Sequence, residues 1–226
     1  MSLSQLQIEY SNRIESILIG EVTSCRTMVV ALHGYAESAK HMRERLSYLE
    51  KHPSMACLCL EAPYPIYLPN QKVGSSWLCR YRRRESLGNN LNYLESAMVQ
   101  LTSIGHWKRL IWLGYSQGAQ MAMRAAQVFG GDHLIAIAGE LPPELLDSDH
   151  EDNPTFFETD RRQGPDVMKV ALMGGKKDMA LKDGVFDRAN AWYASKGHLV
   201  EEVRWNGGHS WNEGMDQAVQ EQLLDR

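Results

Sequence analysis

At 226 residues, with 43% hydrophobic and 23% charged side chains, the chain can bury a full core and is neither disordered nor membranous in composition. A formal charge of -4 speaks against binding a nucleic acid or another polyanion. No apolar stretch is long enough to span a bilayer and no charged-then-apolar leader opens the chain, so stable membrane insertion is not expected and the cytoplasm is the expected compartment.

In chain order, residues 5–10 and 13–19 flank Ser11-Asn12 and read as an N-terminal hairpin. The apolar run 27–32 reads as a strand that runs into His33-Gly34-Tyr35-Ala36, and residues 39–51 as an amphipathic helix. A second apolar strand, 55–60, carries Cys57 and Cys59 on one face; with Cys25 and Cys79 they suggest no disulfide framework in a chain this long, and buried reduced thiols are expected. Arg80, Arg82, Arg83 and Arg84 precede the helix 86–104 and read as solvated residues, the alternative being attraction of an anionic substrate group. Strands then fall at 109–113, 134–138, 168–173 and 198–205, and helices at 119–129, 185–196 and 212–224. Alternating strands and helices with no repeat and no linker predict one α/β domain over residues 1–226, a mostly parallel central sheet with helices on both faces. The long polar connection 142–165 reads as a surface excursion, with a lid or a metal-binding loop as alternatives.

Gly114-Tyr115-Ser116-Gln117-Gly118 stands between the strand at 109–113 and the helix at 119–129, the context of a G-x-S-x-G nucleophile elbow. Glycines two before and two after Ser116 leave room for a sharp turn that lifts its hydroxyl over the sheet edge; the bland alternative is a glycine-rich turn with Ser116 as N-cap. Two partners follow in the order such an elbow requires. Asp178 lies just beyond the strand 168–173, in Gly174-Gly175-Lys176-Lys177-Asp178, and His209 closes Asn206-Gly207-Gly208-His209 after the strand 198–205. A serine hydroxyl is a weak nucleophile until a base takes its proton, which a histidine can do near neutral pH, and a carboxylate holds the imidazole in the needed tautomer. Glu140, after the strand 134–138, is the rival acid.

A tetrahedral intermediate needs two donors for its oxyanion. The amide of Gln117, next after the nucleophile, is one; the amide of Tyr35 is the choice for the other, with Ala36 next. His33 is read as a packed structural residue beneath this loop. Met121 and Met123 are read as core, and no set of histidines has metal-ligand spacing.

Together Leu32-His33-Gly34, the Gly114–Gly118 elbow, Gly174-Gly175-Lys176-Lys177-Asp178 and Gly207-Gly208-His209 resemble the phospholipase/carboxylesterase branch of the α/β-hydrolases, which includes the acyl-protein thioesterases. The resemblance spans nearly the whole chain and implies the α/β-hydrolase fold, no cofactor and no metal. It also implies a Ser-His-Asp triad acting on a small-molecule ester or thioester; a homodimer is left open. Glu61-Ala62-Pro63 followed by Gly74-Ser75-Ser76-Trp77 is similar to the family's loop leading to a tryptophan beside the acyl pocket, which makes Trp77 a candidate substrate-binding residue. Where the family usually has a second glycine and an aspartate, this chain has Ala36 and Glu37. The expected activity is a carboxylesterase on short acyl chains. A lysophospholipase, an acyl-protein thioesterase and a non-catalytic small-molecule-binding relative are the alternatives.

Overall fold

The computed structural model describes residues 13–69, 71–147, 165–181 and 183–224. The chain opens with β1 (Ile17–Ile19) and β2 (Thr27–Leu32), followed by α1 (Ala39–Arg45) and a 3₁₀ helix (Ser47–Lys51). Then come β3 (Met55–Leu60), β4 (Tyr64–Tyr67), β5 (Val73–Ser76), α2 (Arg83–Ile104), β6 (Arg109–Tyr115) and α3 (Gln117–Phe129). The remainder is β7 (His133–Ile137), α4 (Pro143–Leu146), β8 (Lys169–Gly175), α5 (Val185–Ser195), β9 (Leu199–Trp205) and α6 (Glu213–Leu224).

Seven strands form one sheet in the order β1-β3-β2-β6-β7-β8-β9, all parallel except β1, which pairs antiparallel with β3. Alternation divides the core. Met28, Val30 and Leu32 of β2 join Leu110 and Trp112 of β6 on the face covered by α2, α3 and α5. Val29, Ala31, Ile111 and Leu113 point the other way, toward α1 and α6. A strand buried on both faces must be apolar throughout, which is why these runs are legible as strands. From β2 the chain moves outward to β3 and then returns to β6 on the other side of β2. The loops after β2 and β6 therefore meet where strand order reverses, the place at which open α/β sheets bind ligands.

Three expectations change in detail. The helix expected over 39–51 breaks at Leu46, where φ is -102° and ψ 14°, and continues as the 3₁₀ helix. Leu46 and Leu49 are both wholly buried, and a spacing of three suits three residues per turn. Residues 5–10, the first arm of the expected hairpin, lie outside the described residues; of the second arm only Ile17–Ile19 is a strand, and its partner is β3. An unexpected hairpin, β4 with β5, fills the stretch between β3 and α2. Residues 148–164 of the long polar connection also lie outside the described residues. Cys25, Cys57 and Cys59 are buried free thiols, with the Cys57 and Cys59 sulfurs 3.8 Å apart, while Cys79 is half-buried.

Candidate active site

β6 delivers Ser116 at a sharp bend. Its φ of 55° and ψ of -116° are sparsely populated by L-residues, a strain of about 1–3 kcal/mol that the surroundings must hold. They do so by closeness. A Cβ on Gly114 would come within 2.2 Å of the Gly118 carbonyl oxygen, and one on Gly118 within 2.2 Å of the Leu32 oxygen, so neither position admits another residue. The Ser116 amide donates to the Ile137 carbonyl at 2.8 Å, tying the bend to β7.

The ends of β8 and β9 bring in the other two residues. A Cβ on Gly175 would lie 2.2 Å from the Gly207 oxygen, and the amides of Lys176 and Lys177 donate to the Trp205 and Gly207 carbonyls, both at 2.9 Å. The two loops are thus seated on one another. The Asp178 side chain is fully buried; its Oδ2 lies 2.9 Å from His209 Nδ1, and Oδ1 accepts the Ala180 amide at 2.9 Å. A carboxylate only accepts, so Nδ1 carries the hydrogen, and Nε2, 2.9 Å from Ser116 Oγ, is left to accept the serine proton. Glu140 is half-buried and makes no hydrogen bond or ion pair among the described residues; the carboxylate on His209 is Asp178.

In the loop after β2, three of four successive amides are occupied. Gly34 N–H donates to Glu37 Oε2 at 3.0 Å, Ala36 N–H to the Ser75 carbonyl at 3.0 Å, and Glu37 N–H to the Gly34 carbonyl at 3.3 Å. The Tyr35 amide has no partner among the described residues, and neither does that of Gln117 at the start of α3. Leu32 and Gly114 are register partners, so both free amides lie three residues beyond one rung of the sheet. Engagement of Ala36 with Ser75 removes it as the alternative donor.

Trp77 lies elsewhere than expected. Its side chain is fully buried, not on the wall of an open pocket, and the indole N–H donates to the His33 carbonyl at 2.8 Å beneath the loop. A large indole finds more apolar area inside, and its single donor is satisfied there. His33 is likewise structural: Nδ1 donates to the Gly34 carbonyl at 2.7 Å and Nε2 accepts the Ala62 amide at 3.0 Å. Burial pushes its pKa below the ordinary value, consistent with a neutral ring.

Sequence reasoning missed two supports. The Gln117 side chain accepts the Trp77 amide at 2.8 Å, joining the elbow to the end of β5. Glu61 accepts the Ala39 amide at 2.7 Å, capping α1, and also the Ser75 hydroxyl. The second had a signal, an acid directly after a buried strand; the first had none.

In sequence, no family model and no curated protein matches the chain. Solved structures do. Esterase PE8 superposes with a TM-score of 0.73 at 18% identity, covering 94% of this chain and 98% of that one. The phospholipase/carboxylesterase of Dyadobacter fermentans gives 0.68 at 17% identity, covering 96% and 99%. Zea mays acyl-protein thioesterase 2 gives 0.65 at 15%, covering 93% and 98%. The chain has the α/β-hydrolase fold.

On an α/β-hydrolase frame, the loops after β2, β6, β8 and β9 all open on the carboxyl edge of the sheet, where Ser116, Asp178 and His209 meet. Arg80 and Arg82 are exposed before α2 and Arg84 is exposed in its first turn, and Arg82 pairs with Glu85 at 3.3 Å, a surface contact of little energetic weight. Among the described residues no group of three His, Cys, Asp or Glu side chains could hold a metal ion, and no helix is long and apolar enough to cross a membrane.

Proposed function

We propose that this α/β-hydrolase cleaves carboxylic esters through an acyl-serine intermediate, with Ser116 as nucleophile, His209 as base and Asp178 as its orienting acid. The observation that carries the reading is the unbroken chain Ser116 Oγ to His209 Nε2, 2.9 Å, and His209 Nδ1 to Asp178 Oδ2, 2.9 Å. In this reading His209 takes the serine proton as Oγ attacks the carbonyl carbon, and the oxyanion receives the Tyr35 and Gln117 amides. Collapse expels the alcohol, protonated by His209. Water, deprotonated in turn by the imidazole, then releases the acid and restores Ser116.

The substrate we propose is a small-molecule ester. Tyr35 is 59% exposed beside the oxyanion loop and Met179, next to Asp178, is 96% exposed, which favours an open mouth over a deep acyl tunnel. Each further methylene contributes about 0.8 kcal/mol only where it is buried, so acyl chains of roughly two to eight carbons should react best. The test has two parts. A fluorophosphonate probe should label Ser116, located by peptide mapping, and kcat/KM should be measured for p-nitrophenyl acetate, butyrate, octanoate and palmitate. An unlabelled Ser116 sinks the hydrolase reading in favour of a non-catalytic binding protein. A steady rise out to palmitate replaces the short-chain assignment with that of a lysophospholipase or an acyl-protein thioesterase.

A further inference from the structure

One half-buried charge pair next to this site takes no part in the scheme above. The side chains of Arg45 and Glu37 are 16% and 18% exposed. Arg45 Nη1 donates to Glu37 Oε2 at 2.8 Å and Nη2 to Oε1 at 2.6 Å, a two-point fork. The same Oε2 accepts the Gly34 amide, so Glu37 also holds the peptide directly before the free Tyr35 amide.

On its other side the guanidinium carbon of Arg45 stands 4.4 Å from the Trp211 ring and 5.1 Å from the Tyr115 ring. Those rings belong to the rest of the site. Tyr115 immediately precedes Ser116, and its hydroxyl donates to the His209 carbonyl at 2.6 Å. Its ring lies 5.6 Å from the His209 imidazole, and Trp211, two residues after His209, meets it edge-on at 5.4 Å. Arg45 is the last residue of α1, whose first turn is fixed to the sheet by Glu61. A single ion pair therefore touches the loops bearing the oxyanion amide, the nucleophile and the base.

Stability alone is a weak reason for such a pair. Desolvating both charges costs most of what their attraction returns, and apolar residues of similar volume often serve as well. Geometry is a better reason, since a displacement of about 1 Å at a reacting centre can cost about a hundredfold in rate.

We propose that the Arg45–Glu37 pair is a positioning device that, through the Gly34 amide, locks the loop bearing the Tyr35 amide and the His209 loop at the spacing a tetrahedral intermediate needs, without touching substrate. This deepens the ester-hydrolase reading and rests on it. Arg45→Met keeps the length and apolar contacts but removes the charge and the fork; Glu37→Gln keeps an acceptor for Gly34 and removes the charge. Rates are expressed per site titrated with a fluorophosphonate, so that any unfolded fraction drops out.

In both variants kcat falls by about 10- to 100-fold with KM changed by no more than about threefold, and a boronic acid that forms a tetrahedral adduct binds more weakly by a similar factor. Arg45→Lys, with the charge but not the fork, recovers part of the rate, and the double variant is no slower than the slower single. Wild-type kcat in both single variants, or a loss confined to KM, overturns the proposal. The hydrolase reading fails separately: an unlabelled wild type removes both readings, whereas a labelled wild type with unimpaired variants removes this one alone.

Discussion

At the scale of single residues the proposed mechanism separates groups assigned to react from groups assigned to hold. Ser116→Ala and His209→Ala should each abolish nearly all turnover, and the double variant should be no slower than either single, because each change alone already removes the activated nucleophile. Asp178→Asn should cost on the order of 10⁴ in kcat by favouring the wrong imidazole tautomer, while Glu140→Gln, with no hydrogen bond or ion pair to His209, should leave kcat nearly unchanged. The reverse result would move the acid to residue 140. Ala36 has a φ of 65°, where the side chain costs about 1–2 kcal/mol. Replacement by glycine gives back about 0.5–1 kcal/mol of that in the more flexible unfolded chain, so Ala36→Gly should stabilise by about 0.5–1 kcal/mol and raise Tm by a few degrees. A lowered Tm would show that the Ala36 methyl packs favourably enough to outweigh its backbone. The meeting of Ser116, Asp178 and His209 was legible because each is a chemically distinctive type directly after a strand. Arg45 was not, since a surface-helix arginine looks the same whether it faces water or a tyrosine and a tryptophan far along the chain.

Among elements, the central strands were legible because burial on both faces leaves an unbroken apolar run, and β2 and β3 match their expected bounds. The β4–β5 hairpin was not. Pro65 lies within β4 and Pro63 and Pro69 flank it, a composition that reads as loop, yet β5 bridges the loop after β2 at Ser75, whereas β4 pairs with no strand but β5 among the described residues and so has an outer edge on which a missing donor is tolerated. Its last residue, Ser76, leads directly to Trp77, which the resemblance had placed on a pocket wall. Removal of a fully buried indole leaves a cavity, so Trp77→Ala should cost about 3–5 kcal/mol in stability. In the protein that still folds, the ratio of octanoate to acetate kcat/KM should stay within about twofold of wild type. A shifted chain-length profile would return the indole to the substrate pocket.

Over the whole molecule, the fold follows from alternation and chain order, whereas the linkage between loops depends on charges that no local pattern reveals. Burial works to raise the Glu37 carboxyl, but the Arg45 hydrogen bonds and charge, together with the Gly34 amide, outweigh it and hold the pKa below the ordinary value. A folded-state pKa lowered in this way contributes stability that is complete above the unfolded glutamate value of about 4.3 and is lost as pH falls through the folded value. Wild type should therefore melt above Glu37→Gln near neutrality, and the two should converge as the pH falls below about 4. A constant separation across that range would show that Glu37 ionisation is not linked to folding.

The distribution of sulfur has a practical consequence. Cys25, Cys57 and Cys59 are sealed in the core, with burial pushing the thiols of Cys25 and Cys57 above their usual pKa, while Cys79 is half-buried two residues beyond Trp77. A thiol-reactive chromophore should therefore titrate one sulfhydryl quickly in the native protein and all four only after denaturation, and rapid reaction of two or more would contradict that burial. The chain so carries its own attachment point for a fluorophore, two residues beyond the Trp77 amide that bonds the Gln117 side chain, without any engineered residue.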